Sequence, residues 1–341
     1  PDGDTDEQLL QVEYASKQQF ADMSYLQEIL RTGMQLNLLD CQIEEHLITP
    51  RLIVVEPDCL IDISSLAACF TDYGHHPAVY TLNRMREKPN TQHTILGNFA
   101  GCALDNMVFA QPDRPFSLAE TLKENYQEKA LEYCTCTTLN PTLFKTDAAK
   151  QAQNMQQIVT ELFKTYQRSH AILEPSFVCE TLGIQGRVDL MTTDFRLLVE
   201  QKSGKNMNLE YNRRNSHGTQ HIESHFVQAL LYAGVLKYNF QLSNSATQIF
   251  LLYSKYPLPA GLLSVTRLDM LLQETIKLRN LIVATDMNSA IGSFGDMLNQ
   301  LNAQTLNTAK NDTFFYNRYL LPQIKTITQP LQEMSSLEKA Y

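Results

Sequence analysis

Several features are missing from this sequence, and each absence removes a class of protein. No apolar run approaches the length that spans a bilayer, so no membrane helix is expected. No basic-then-apolar segment opens the chain, which makes the cytoplasm the expected compartment. No G-x-x-x-x-G-K-S/T loop occurs; Ser203-Gly204-Lys205 lacks the first glycine and its spacing, so this chain carries no ATP motor. His221 and His225 stand at helical spacing, but no Glu follows His221, which excludes an HExxH zinc site. The seven cysteines contain no CxxC pair, and their number is odd. They read as reduced, mostly buried thiols, with Cys134 and Cys136 as two unrelated residues. Positive charge is also scarce: 28 Lys and Arg stand against 37 Asp and Glu, a net charge of −9. That excludes a general nucleic-acid coat, because phosphate binding needs positive charge. It leaves room for a local basic cleft, and Arg187, Lys202, Lys205, Arg213 and Arg214 gather in one stretch, with His217, His221 and His225 behind them.

What is present is an ordinary globular composition, 43% hydrophobic and 19% charged over 341 residues. The length allows one large domain or two smaller ones. The chain opens on Pro1 rather than Met, which fits a processed product or a fragment of a longer protein. Residues 7–48 read as helical, because Tyr25, Leu26, Ile29, Leu30, Met34 and Leu38 recur near the helix period. A buried strand is expected over 51–56, and a short helix capped by Asp62 or Ser64. Residues 95–110 predict a helix with Gly97, Gly101 and Asp105 on one strip, four residues apart. Two interior glycines cost a helix about 1 kcal/mol each, so something should approach that strip closely. Helices are expected over 118–133, 141–167, 223–238 and 266–284, and strands over 171–181 and 246–254. The last of those helices is followed by short ones near Phe314 and Gln329. Three parts result: 1–90, helical with one strand; 91–260, an α/β core; and 261–341, a helical extension.

The richest stretch is Gly183–Lys205, which reads as two short strands joined by a tight turn at Thr192, Thr193 and Asp194. Side chains alternate across a strand, so Glu200 and Lys202 share one face while Leu197, Val199 and Gln201 take the other. If Met191 pairs with Arg196, Asp189 falls opposite Leu198 and joins the Glu200 face. Asp189 and Glu200 are then diagonal neighbours, about 7–8 Å apart at the backbone. Two carboxylates converging in this way suit a cation, and a salt-bridge cluster is the competing explanation.

Asp189, a ten-residue gap and Glu200-Gln201-Lys202 together resemble the PD-(D/E)XK nuclease superfamily. Gly186-Arg187-Val188-Asp189 resembles the corresponding motif of its RecB-like branch, and Gln228-Ala-Leu-Leu-Tyr232 resembles that branch's Q-x-x-x-Y motif. The likeness spans residues 56–254 and is nearest to the nuclease domain of replication flap nuclease–helicases. It implies a restriction-endonuclease-like α/β core, a central mixed sheet flanked by helices, with helical additions at both ends. It also implies a Mg²⁺- or Mn²⁺-dependent DNase acting on single strands or flaps, with a linked helicase as partner. By the same resemblance Asp189, Glu200 and Lys202 are catalytic. Asp189, Glu200 and the Gln201 carbonyl hold the metal, while Gln228, Tyr232, His225, Arg187 and Lys205 meet the nucleic acid or shape its cleft. The sequence departs from the family in two places. Gly101 stands where the branch carries a histidine, which makes Asp105, one turn later, the expected substitute ligand. No cysteine follows Cys179, so the family's iron–sulfur cluster cannot form. The alternative function is a retired nuclease module that binds DNA without cutting it.

Overall fold

The computed structural model describes residues 11–14, 22–44, 46–86, 88–206, 222–243, 245–292, 294–310 and 312–340. Its contacts divide the chain into two units, one of Pro1–Met85, Val178–Gln185 and Leu268–Tyr341, the other of Arg86–Phe177 and Gly186–Arg267. Arg213, Arg214, His217 and His221 lie outside the described residues.

The second unit is built on a five-stranded sheet. The sheet and the helices that matter to it here are α1 (Gln92–Val108), α2 (Pro141–Thr165), β1 (Ala171–Leu173), β2 (Leu190–Thr192), β3 (Leu197–Lys202), α3 (Glu223–Phe240), β4 (Gln248–Tyr253) and β5 (Leu262–Ser264), with two further helices, Leu118–Glu128 and Ala130–Thr135, between α1 and α2. The sheet order is β5–β4–β3–β2–β1, and only the β3–β4 pair is parallel. A parallel pair needs a long crossover, and α3 lies within it. Phe226 to Leu236 of α3 are all buried, as befits a helix that is apolar all round. On α2, Asn140 caps the first turn and Pro141 starts it. The stripe Phe144, Ala148, Ala152, Met155, Ile158, Val159 and Leu162 then packs with α1 on Leu190, Leu197, Val199 and Leu252. Both helices therefore cover the sheet face that carries Leu197 and Val199, the face opposite Glu200.

Two expectations for this unit change. The turn between β2 and β3 is longer than expected, covering Thr193 to Arg196, with Phe195 in the left-handed region at φ 57. Asp194 Oδ1 accepts from the Arg196 amide at 3.1 Å, and Phe195 packs on Phe240 at 4.6 Å between ring centroids. The register is consequently Leu190 with Val199 and Met191 with Leu198, not Met191 with Arg196. The strand expected over 171–181 is broken at Glu174, whose φ is 49, into Ala171–Leu173 and Ser176–Cys179. Glu174 and Glu180 consequently do not share one continuous strand.

In the first unit the helical reading of residues 7–48 is overturned. The described part holds one helical turn, Leu26–Ile29, and the strands Gln11–Val12, Leu36–Leu39, Gln42–Glu44 and Leu47–Thr49. Met23, Leu26 and Ile29 do bury together against Ile53, Val55 and Ala284, which explains the local periodicity. The chain then leaves the helix at Leu30, turns at Gly33 (φ 88), and pairs Leu36 with Val55 and Leu38 with Ile53. Asp62 caps Ile63–Ala67 through the Ser65 amide. The long helix Asp269–Ile291 carries a fully buried Arg279. Its guanidinium donates to the carbonyls of Val55, Glu56, Cys59 and Gly183. Gly183 has φ 61, and a Cβ there would collide with that guanidinium. The helix Leu321–Glu333 follows in the same unit. No helix among the described residues is long and apolar enough to cross a membrane.

Candidate active site

Asp189 lies immediately before β2, where that strand stops pairing with β3. Carried one residue beyond the paired positions, the register sets Asp189 opposite Glu200. Their register positions are therefore opposed rather than diagonal. Asp189 Oδ2 accepts from the Gln201 amide at 2.5 Å, so a side-chain oxygen takes the place of the next ladder carbonyl. In an extended residue N–H and C=O point to the same side, which turns the Gln201 carbonyl toward Asp189 as well.

Glu200 is 3% exposed. Its Oε1 accepts from Lys202 Nζ at 2.9 Å and from Gln228 Nε2 at 2.7 Å. Gln228 Oε1 accepts from Lys202 Nζ at 2.8 Å, which closes a triangle of Glu200, Lys202 and Gln228. The other carboxylate oxygen, Glu200 Oε2, is buried and accepts no hydrogen bond from the described residues. Burial, with Asp189 adding to it and Lys202 opposing it, pushes the Glu200 carboxyl up to about 8. Burial also raises Asp189, against the Gln201 amide and Lys202, which lower it.

Asp105 does not complete a ligand set. It projects from α1, one helical turn beyond Gly101. Burial first, then the charges of Glu174 and Asp189, raise its carboxyl to about 7 against the pull of Arg187. Among the described residues no three His, Cys, Asp or Glu side chains gather closely enough to hold a metal ion. Arg187 is exposed and pairs with Glu174 Oε2 at 3.1 Å. Glu174, Asp105, Asp189 and Glu200 thus set four carboxylates against the two cations Arg187 and Lys202. Asp189, the Glu200 oxygen without a described partner and the Gln201 carbonyl are all hard oxygen donors, the chemistry that suits a divalent cation.

The residues assigned to nucleic acid separate into two groups. Arg187 and Lys205 are exposed, and Lys205 sits in the turn after β3. Tyr232 is 0% exposed, and its hydroxyl donates to the Arg187 carbonyl at 2.6 Å. It cannot touch a ligand; it fixes the backbone two residues before Asp189. Gln228 is buried and committed to Glu200 and Lys202. His225 Nδ1 bonds the Tyr253 hydroxyl at 3.0 Å, and burial with the nearby Lys202 charge drives its pKa down to about 3. It therefore offers a neutral ring, not a cation, to a phosphate.

The glycine strip of α1 also has two parts. A Cβ at Gly97 would come within 3.3 Å of Ser203 Oγ, whereas one at Gly101 would meet none of the described residues within 4 Å. Sequence reasoning missed Gln151 and Asn154, which are buried in the apolar stripe of α2. The signal was available: two amide side chains interrupt the run Phe144, Ala148, Ala152, Met155, Ile158 at helical spacing.

No protein-family model matches the chain, and no curated protein matches it at a significant level. Among solved structures, it is similar to the crystal structure of a "putative exonuclease" from Eubacterium rectale, at 11% sequence identity and a TM-score of 0.43. The match covers 68% of this chain and 81% of the other.

Proposed function

We propose that this chain is a metal-dependent nuclease with a PD-(D/E)XK-type core, hydrolysing phosphodiester bonds in single-stranded or flap DNA. The reading rests on one observation: Lys202 Nζ is held between Glu200 and Gln228, with Asp189 close enough for its charge to act on Glu200. The order α1, α2, β1, β2, β3, α3, β4, with α3 in the crossover of the parallel pair, supports the reading. Asp189, Glu200 and the Gln201 carbonyl would hold Mg²⁺ or Mn²⁺. Such an ion supplies charge neutralisation at the phosphate and lowers the pKa of bound water. Lys202 orients the attacking water and stabilises developing negative charge. Gln228 keeps the ammonium in place, and exposed Arg187 and Lys205 attract the backbone. Strand separation would fall to a linked helicase.

The test is cleavage of labelled single-stranded, duplex and flap DNA with Mn²⁺, by wild type and by Asp189→Ala, Glu200→Gln and Lys202→Ala. Each substitution should lower the rate about 10²–10⁴-fold. Full activity in all three would sink the reading. That no three acidic, histidine or cysteine side chains gather around one point among the described residues favours a second reading, a retired module that binds DNA without cutting. Measurable DNA affinity with no cleavage in excess Mn²⁺ would select it.

A further inference from the structure

The far face of β3 holds a buried polar network that the chemistry above does not use. Gln151 is 4% exposed, Asn154 7% and Ser254 0%. The Ser254 hydroxyl donates to Gln151 Oε1 at 2.6 Å and accepts from Gln201 Nε2 at 3.2 Å. Gln151 Nε2 reaches the Ser203 carbonyl at 3.3 Å, and Asn154 Nδ2 donates to the Ser254 carbonyl at 3.0 Å. The Ser254 amide in turn donates to the Lys202 carbonyl at 3.0 Å. From the α1 side, the bare backbone of Gly97 lies against Ser203 Oγ. Residues 201–203 are thus gripped from the face opposite the acids, by α1, by α2 and by the end of β4.

An apolar residue at Gln151 would suit its neighbours Ala148, Ala152 and Met155 and would avoid burying an amide. Buried polar networks are costly unless every member is satisfied, and when satisfied they fix one geometry. This one fixes the three residues from which Lys202 and the Lys205 turn project. We infer that Gln151 is a positioning residue: acting through Ser203 and Ser254, it sets where the Lys202 ammonium stands relative to Glu200. The inference rests on the nuclease reading for its consequence in catalysis, and on the network alone for its consequence in the chain.

The experiment uses the whole chain and three variants. Gln151→Leu removes both amide contacts, Gln151→Glu keeps an acceptor for Ser254 and loses the donor to Ser203, and Ser254→Ala removes the hydroxyl. The first readout is amide hydrogen exchange without metal. Exchange at Ser203, Gly204 and Lys205 should rise on the order of tenfold in Gln151→Leu, with α3 unaffected. The second readout is single-strand cleavage with Mn²⁺. Here kcat should fall about tenfold with KM little changed, Gln151→Glu should be intermediate, and Gln151→Leu should add no further loss to Lys202→Ala. Unchanged exchange in a folded variant overturns the inference. So does a lowered melting temperature with unaltered kcat, because Gln151 would then only pack. If Gln151→Leu does not fold, Ser254→Ala and Gln151→Glu decide by the same readouts. If the wild type neither cleaves nor binds Mn²⁺, the nuclease reading has failed, and the metal-free exchange result still decides whether Gln151 positions the turn.

Discussion

Glu200 is the residue on which the site turns, and its proton gives the first prediction. In the unfolded chain the carboxyl ionises near its ordinary value of 4.5, while in the fold it keeps its proton to about 8. Between those values the folded state binds more protons, so stability falls as pH rises. With a chelator present, the thermal midpoint of wild type should drop between pH 5 and 8 more steeply than that of Glu200→Gln. Asp105, raised to about 7, has the same sign and contributes to both proteins. The second prediction separates structure from recognition. Tyr232→Phe deletes one buried hydroxyl and leaves the Arg187 carbonyl unbonded by it, which should cost about 1 kcal/mol in denaturant unfolding. DNA affinity, measured by fluorescence anisotropy, should stay at the wild-type value. The acids and the lysine were legible in the sequence because strand alternation fixes which side chains share a face. The burial of Tyr232 was not, because a motif records which residues recur together and is silent on which of them meets solvent.

At the scale of elements, legibility followed length. The helices α1, α2 and α3 and the strands β3 and β4 run for enough residues that their periods speak for themselves. The described part of residues 7–48 holds one helical turn, and Gly33 and Asp40, both at positive φ, turn the chain where periodicity cannot see it. The turn after β2 was misjudged for a similar reason: Phe195 occupies the left-handed region without being glycine or asparagine, held there by its contact with Phe240. The shift moved the register by an even step, so Glu200 and Lys202 keep their shared face and only the register position of Asp189 changed. The helix α1 carries a prediction of its own. Gly101 faces open space, so Gly101→Ala should raise stability by about 1 kcal/mol in chemical denaturation, as the helix interior gains a residue of better propensity. Gly97→Ala should not, because its methyl would press on Ser203.

For the whole molecule, the net charge of −9 conceals a division. The unit that carries the candidate site holds 18 Lys and Arg against 15 Asp and Glu, which leaves 10 against 22 for the other. The objection to phosphate binding raised by the total applies to the acidic unit alone. DNA affinity should therefore fall steeply with added salt. Lys205→Ala should reduce the slope of log affinity against log salt by about 1, measured by anisotropy from low to physiological salt. An unchanged slope would remove Lys205 from the phosphate contacts.

The bond between Asp189 and the Gln201 amide ties the site to the sheet's own ladder. On the proposed reading the same carboxylate would also hold the metal, which makes the Gln201 amide proton a gauge of what Asp189 is doing. Its resonance should move when Mg²⁺ is added and stay still in Asp189→Ala, so occupancy can be followed by NMR with no substrate and no turnover.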